Sequence, residues 1–268
     1  MAGPLTRTTA RLLRERVANL PAEPEMEDLN KLLRLLAIWR SRAIATTYIA
    51  QEGPRVMGGP FAGMVYESAT EGSQIARLLG GYEAGLHPHL HAFVAEGLDC
   101  LIDVGCAEGY YAVGMARMMP ELTVYAYDIN EKARAACANL AARNNVSDRV
   151  IIGGEFKPDG FEAYVGRRAL VMVDAEGAEL DILQPALSPA LAGMNVIVET
   201  HDVFRPGTLA TLMERFSPTH SITRVGQGQH PVDLPPWLLD LPQLDQLLAV
   251  WEWRLAETPW LVMRPKPG

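Results

Sequence analysis

Leu101-Ile102-Asp103-Val104-Gly105-Cys106-Ala107-Glu108-Gly109-Tyr110-Tyr111 decides the fold. Apolar residues lead into an acid, glycines stand at 105 and 109, and the following Ala112-Val113-Gly114-Met115-Ala116 has the composition of a helix start packed on a sheet. The stretch reads as strand, tight turn and helix. In a doubly wound sheet the ligand lies at the carboxyl ends of the strands where their order reverses, and the first strand-to-helix turn is that place. Glycine is required there because a Cβ would hold a cofactor away from the backbone. The next apolar run, Leu122 to Tyr127, ends in Asp128, 23 residues after Gly105. That is close to the ~20 at which a carboxylate meets a ribose diol.

Working outward toward the amino terminus, residues 5 to 20 carry Leu5, Leu12, Leu13, Val17 and Leu20 among arginines, the pattern of a short basic amphipathic helix ended by Pro21. Leu29, Leu32, Leu33, Leu36 and Trp39 follow helical spacing and predict a helix over Glu25 to Arg42, with acids in its first turn and arginines in its last. These helices, within an extension placed at residues 1–57, are expected to cap the active site, to form a homodimer surface, or only to pack. Gly58 to Tyr66 reads as a hairpin or loop. Thr70 to Ser73 and a helix over Gln74 to Glu83 are expected to fold over a cofactor, with donors at the helix start aimed at a carboxylate. His87-Pro88-His89-Leu90-His91 predicts another helix start, and metal binding there is disfavoured because no carboxylate motif accompanies the imidazoles.

Toward the carboxyl terminus, Asn130 is the expected N-cap of a helix through Asn144, and Arg149 to Ile152 is a third strand. The loop behind it, Gly153 to Lys157, contains Glu155 and Phe156. Ala169 to Asp174 and Met194 to Asp202 are buried strands, each ending in ionisable residues on the same rim as Gly105. Alternating strands and helices from 99 to 216 predict a parallel sheet. Ser221 to Val225 and Pro259 to Met263, around a proline-rich insert and a helix through Trp251, predict a closing antiparallel pair.

The chain has 268 residues, 49% hydrophobic and 21% charged, with a formal net charge of −8. No basic stripe is present to neutralise phosphates, so a nucleic-acid substrate is not expected. No membrane span or secretory signal is visible, and three cysteines without C-x-x-C spacing fit a reducing compartment. A cytoplasmic location is the expectation.

The spacing D-x-G-x-x-x-G at Asp103, Gly105 and Gly109 resembles motif I of class I S-adenosylmethionine (SAM)-dependent methyltransferases. Val173-Asp174-Ala175-Glu176-Gly177-Ala178-Glu179 is similar to the D-x-E-G-A-E signature of the FkbM family within that class. Val198-Glu199-Thr200-His201 and Gly80-Gly81-Tyr82-Glu83 resemble two further elements of it. The resemblance covers roughly residues 58 to 264. It implies a Rossmann-like α/β sheet, mostly parallel with an antiparallel C-terminal strand, over a domain placed at 58–268. It also implies SAM as cofactor and O-methylation of a hydroxyl on a small natural product, sugar or glycan. The class I resemblance also places the loop with Glu155 and Phe156 near the adenine ring, which makes both candidates for contact with the base, and the expected cofactor set is Ser73, Asp103, Gly105, Cys106, Ala107, Gly109, Tyr110, Asp128, Ile129, Glu155 and Asp174.

Transfer from an activated sulfonium needs alignment and a base for the acceptor's proton. His201 is the expected base, with Glu199 as its partner and Asp174 to orient it or take the role. One alternative is a Mg²⁺ or Mn²⁺ ion held by Asp174, Glu199 and His201 against a diol. Glu176 and Glu179 are expected only to start the next helix, and Cys106 to be a small residue beside the cofactor. An NAD-dependent oxidoreductase is disfavoured by Ala107, which stands where the dinucleotide fingerprint has its second glycine. A non-catalytic SAM-binding protein would leave the cluster at 199–202 idle.

Overall fold

In the computed structural model, which describes residues 3–70, 72–226, 228 and 231–267, the apolar runs are strands of one sheet. Strands β1 (Cys100–Val104), β2 (Thr123–Tyr127), β3 (Val150–Gly153), β4 (Ala169–Val173) and β5 (Asn195–Glu199) run parallel. β6 (His220–Val225) and β7 (Trp260–Pro265) close the edge, with β7 antiparallel to both β5 and β6. The order is β3-β2-β1-β4-β5-β7-β6, so chain direction across the sheet reverses between β1 and β4. Every residue of β1 and of β4 is buried, as both faces of a parallel sheet must be covered.

Alternation within the strands supplies two core layers. Leu101, Leu170 and Ile197 face one layer with Val113 and Leu140. Ile102, Val171 and Val196 face the other with Leu212 and Phe216. The first layer rests on α5 (Tyr110–Met118) and α6 (Glu131–Arg143), the second on α8 (Thr208–Phe216). Asn130 caps α6 as its sequence position predicts, its side chain accepting from the Lys132 N–H at 3.0 Å.

The amino-terminal helices are α1 (Pro4–Ala18) and α2 (Met26–Glu52). α2 runs well past Arg42, where the sequence placed its end. Ile44, Ala45 and Tyr48 continue the buried face into the first core layer, and no helix breaker occurs before Gly53. Nearer the start of the same helix Met26, Leu29 and Leu33 remain exposed. α3 (Gln74–Leu79) is shorter than the expected 74–83, because Gly80 turns left-handed at φ +80°. A Cβ on Gly80 would lie 2.1 Å from the Gly58 carbonyl oxygen, so this chain reversal demands glycine. The loop from 54 to 66 is closed by the Val56 N–H on Met64 O at 2.9 Å and the Tyr66 N–H on Pro54 O at 2.7 Å. Helix α4 (His87–Glu96) then leads into β1, and α7 (Glu179–Ile182) follows β4. After β6 come α9 (Pro236–Leu239) and α10 (Gln243–Val250). None of the described helices is long and apolar enough to cross a membrane.

Candidate active site

A cavity of about 860 Å³ opens at the carboxyl ends of β1, β2, β4 and β5, where the sheet order reverses. At one end lie Gly105, Ala107, Asp128, Ile129, Gly154, Glu155 and Phe156, and at the other Asp174, Glu176, Glu199, His201 and Phe204. The turn after β1 is crowded. A Cβ on Gly105, at φ +87°, would fall 1.8 Å from the Asp174 carbonyl oxygen, so this turn seats directly on the end of β4. Ala107 takes φ +47° and its N–H donates to Asp128 Oδ2 at 3.0 Å, while the Asn130 N–H donates to Oδ1 at 2.7 Å. Asp128 therefore fixes the turn and the start of α6 together. Ile129 beside it is 81% exposed, an apolar side chain presented to the cavity. Phe156 packs on Tyr127 and Phe161, leaving the paired Glu155 and Lys157 at the mouth.

The opposite end is built around His201, which is 4% exposed. Its Nδ1 lies 2.7 Å from Glu179 Oε1, and that oxygen also accepts the Gly177 N–H at 3.0 Å. Burial alone would raise the Glu179 carboxyl. The hydrogen bonds from His201 and Gly177 outweigh it and hold the group below its ordinary value. Glu179 is thus an acceptor, Nδ1 carries the hydrogen, and the Nε2 lone pair faces the cavity. Around Nε2 stand Glu176 Oε2 at 3.6 Å, Asp174 Oδ1 at 3.7 Å and Glu199 Oε2 at 3.7 Å. Burial pulls the imidazole's proton affinity down, but the Glu179 hydrogen bond and the charge of Glu199 more than compensate and leave it raised. Asp174 is pushed well above the usual carboxylate range by burial and then by the charges of Glu199 and Glu83.

Glu199 has another principal partner. The Arg254 guanidinium hydrogen-bonds Glu199 and Glu83 and meets Glu252 at 2.8 Å. Thr258 Oγ1 donates to Glu199 at 2.5 Å. Tyr111 donates to Glu83, whose carboxyl is pushed up to about 7 by burial and by Glu199. The segment carrying Arg254 is held from α2: Arg34 donates to the Trp253 carbonyl at 2.5 Å, and the Trp253 indole donates to Ser41 at 3.1 Å. Arg34 itself lines the cavity, so α2 reaches this chain's own site.

Of the residues expected to meet the cofactor, Gly105, Ala107, Asp128, Ile129, Glu155 and Asp174 line the cavity. Ser73, Asp103, Cys106, Gly109 and Tyr110 stand behind that lining. Ser73 is fully buried and caps α3, accepting from the Ala76 N–H at 3.4 Å. Asp103 is 3% exposed with its Oδ2 unpartnered among the described residues, and burial followed by the charge of Asp128 pushes its carboxyl up to about 7. The Cys106 thiol is raised by its contact with Cys137 and by burial. A Cβ at Gly109 would strike Cys137 Sγ at 2.6 Å, so this glycine lets α5 approach α6. Tyr110 sits among Phe61, Tyr66 and Tyr82.

Two expectations are corrected at the rim. The partner of His201 is Glu179, the first residue of α7 and three residues past Glu176, whereas Glu199 is engaged by Arg254. Among the described residues, the grouping with metal-ligand geometry is Asp174, Glu176 and His201, with Glu176 in the place given to Glu199. His87 is occupied otherwise, its Nε2 lying 3.1 Å from the Tyr82 carbonyl. Sequence reasoning passed over Glu108, which is 2% exposed. It accepts from Tyr66 and from Thr70 and forms an ion pair with Arg77 at 3.6 Å, tying the 54–70 segment to the turn after β1. Arg254 was also missed. Its only signal was a lone arginine among Trp251, Glu252 and Trp253.

No protein-family model matches the chain. It is 31% identical over 102 residues to an uncharacterized methyltransferase of Mycobacterium tuberculosis and to one of Mycobacterium bovis, covering 37% of this chain and 51% of each relative. The chain thus spans about half the length of the curated relatives it matches. Among solved structures, the human methyltransferase 10 domain containing protein superposes with a TM-score of 0.49 at 11% identity, over 85% of this chain and 97% of that one. An O-methyltransferase from Bacillus cereus in complex with SAH gives 0.42 at 13% identity, over 99% and 92%. A putative rRNA-methylase from Clostridium thermocellum gives 0.45 at 15%, over 67% and 95%.

Proposed function

We propose that the protein is a SAM-dependent methyltransferase that methylates a hydroxyl of a small molecule, in keeping with its resemblance to the FkbM family. The observation that supports this reading is one continuous cavity joining the β1 turn, Asp128 and Ile129 to the cluster around His201. In this reading Asp128 holds the ribose diol, Ile129 and Phe156 flank the adenine, and the methionine portion lies along Gly105 and Ala107 toward Asp174. Asp128 changes partners less than its position suggests: each of its oxygens has a further lone pair beyond the backbone N–H it already accepts. The mycobacterial relatives are named as methyltransferases, which agrees.

The acceptor oxygen attacks the methyl carbon in line with the departing sulfur. A C–O bond forms, the C–S bond breaks with its electrons on sulfur, and the cofactor leaves as the neutral thioether S-adenosylhomocysteine. The hydroxyl proton must be lost in the same event, and the lone pair of His201 Nε2 and the carboxylates beside it are placed to manage it. Alignment supplies the larger share of the acceleration, because the sulfonium methyl is already activated. A net charge of −8 favours a small acceptor over a phosphate backbone.

The test is transfer of labelled methyl from SAM to a panel of sugars, polyols and catechols. Label is expected in an ether stable to mild base, with the rate in His201→Ala lowered by about 10²–10⁴. Undiminished transfer in that variant would refute the assignment of the cluster.

A further inference from the structure

We propose that Asp174, Glu176 and His201 Nε2 form a binding site for one divalent cation of the Mg²⁺ or Mn²⁺ class. The ligand atoms lie within 4.8 Å of one another, with Nε2 at 3.6 and 3.7 Å from the two carboxylate oxygens. Ligands about 2.1 Å from an ion in octahedral array stand roughly 3 Å apart at adjacent vertices, so the two carboxylate side chains must move toward Nε2 by roughly 0.6–0.7 Å, a shift within the reach of their own rotations, to complete the site. Two features point to a ligand beyond a mere gathering of acids. The imidazole is 4% exposed, and its Nε2 has three carboxylates around it, all beyond hydrogen-bond length. Among the described residues, the buried Asp174 Oδ1 has no hydrogen-bond partner.

Glu179 supplies what a metal-bound histidine needs. By accepting the Nδ1 hydrogen at 2.7 Å it fixes the tautomer and aims the Nε2 lone pair at the site, the carboxylate–histidine–metal arrangement. Glu176 is carried there by a backbone turn at φ +49° directly before Gly177 at φ +106°. Oxygen ligands with a single imidazole suit Mn²⁺ or Mg²⁺ better than zinc. The three-residue set leaves vertices for water or for two oxygens of an acceptor.

The site deepens the proposed function and, as far as catalysis goes, rests on it. A hydroxyl bound to the ion has its pKa lowered. Its proton then passes to Glu199 Oε2, which stands 3.7 Å from Nε2 on the same side. His201 is in this account a ligand, and the ion does the work that a free imidazole would otherwise do.

The experiment titrates Mn²⁺ into chelator-stripped full-length protein, followed by calorimetry and by the electron paramagnetic resonance of free ion. S-adenosylhomocysteine is titrated into the same stripped sample. One ion per chain is expected, with affinity reduced at least ten-fold in Glu176→Gln and in Asp174→Asn. Glu176 has a 57% exposed side chain, so its variant keeps the fold, which a thermal melt verifies. Absence of Mn²⁺ binding, or affinity unchanged in both variants, overturns the cation site. S-adenosylhomocysteine binding without Mn²⁺ binding leaves the methyltransferase reading standing and removes this one. Mn²⁺ binding lost in both variants, in a protein that ignores S-adenosylhomocysteine, supports the site and removes the other reading.

Discussion

Asp103→Asn isolates one consequence of how β1 is buried. The Asp103 carboxyl is 3% exposed, its Oδ2 has no partner among the described residues, and it stays protonated up to about pH 7 against an ordinary value of 3.8. The folded protein therefore keeps a proton that the unfolded chain releases near pH 4, so stability falls as pH rises between those values. Linkage over that shift makes the penalty about 2 kcal/mol at pH 5.5 and about 4 kcal/mol at pH 8, since each unit is worth ~1.36 kcal/mol. Asparagine has nearly the same shape and no charge to desolvate. The difference in stability between variant and native protein should move in the variant's favour by about 2 kcal/mol from pH 5.5 to pH 8, or roughly 4–8 °C in Tm for a chain of this size. Urea denaturation at four pH values across that range measures it. Parallel pH profiles for the two proteins would refute the reasoning, and would mean that Asp103 is ionised in the fold.

Arg254→Met leaves Glu83 and Glu199 buried without their cation, and should cost about 3–5 kcal/mol in thermal or denaturant unfolding. Arg254→Lys should recover only part of it, because one ammonium cannot reach three carboxylates in a fixed fork. Gly105→Ala forces a Cβ to 1.8 Å from the Asp174 carbonyl at φ +87°. A loss of about 2–5 kcal/mol together with loss of S-adenosylhomocysteine binding is expected, by melting curve and calorimetry. Asp128→Ala should weaken S-adenosylhomocysteine by about 10- to 100-fold, the worth of hydrogen bonds to a charged group, and unchanged affinity would remove Asp128 from the ribose site.

The sheet was legible because its strands are continuous apolar runs that end in ionisable residues. Val173-Asp174 and Val198-Glu199 mark both the end of a strand and the rim of the cavity. The turn at Gly105 was legible for the same reason. Distances between the rim residues were not. Glu179 looked like a helix-start acid, and it is one, yet the short α7 points its side chain across to β5 and His201. Nothing local to 176–182 encodes that reach, which depends on the parallel pairing of β4 with β5. Arg254 and Glu83 lie 171 residues apart, and their pairing exists only once α3 and β7 are both in place. The overrun of α2 has a different cause: the arginines at 40 and 42 resemble a last turn, while Ile44 and Tyr48 carry the apolar stripe onward. Exposed or buried, the glycines at 105 and 109 look alike in sequence, and only packing separates one beside the cavity from one beneath Cys137.

The most direct test of methyl transfer as the function is calorimetric titration of the intact protein with S-adenosylhomocysteine and, separately, with NAD⁺. The account predicts saturable, one-to-one binding of S-adenosylhomocysteine in the micromolar range, weakened in Asp128→Ala, and no heat from NAD⁺. Binding of NAD⁺ with none of S-adenosylhomocysteine would contradict it, and would assign the turn at Gly105 to a pyrophosphate.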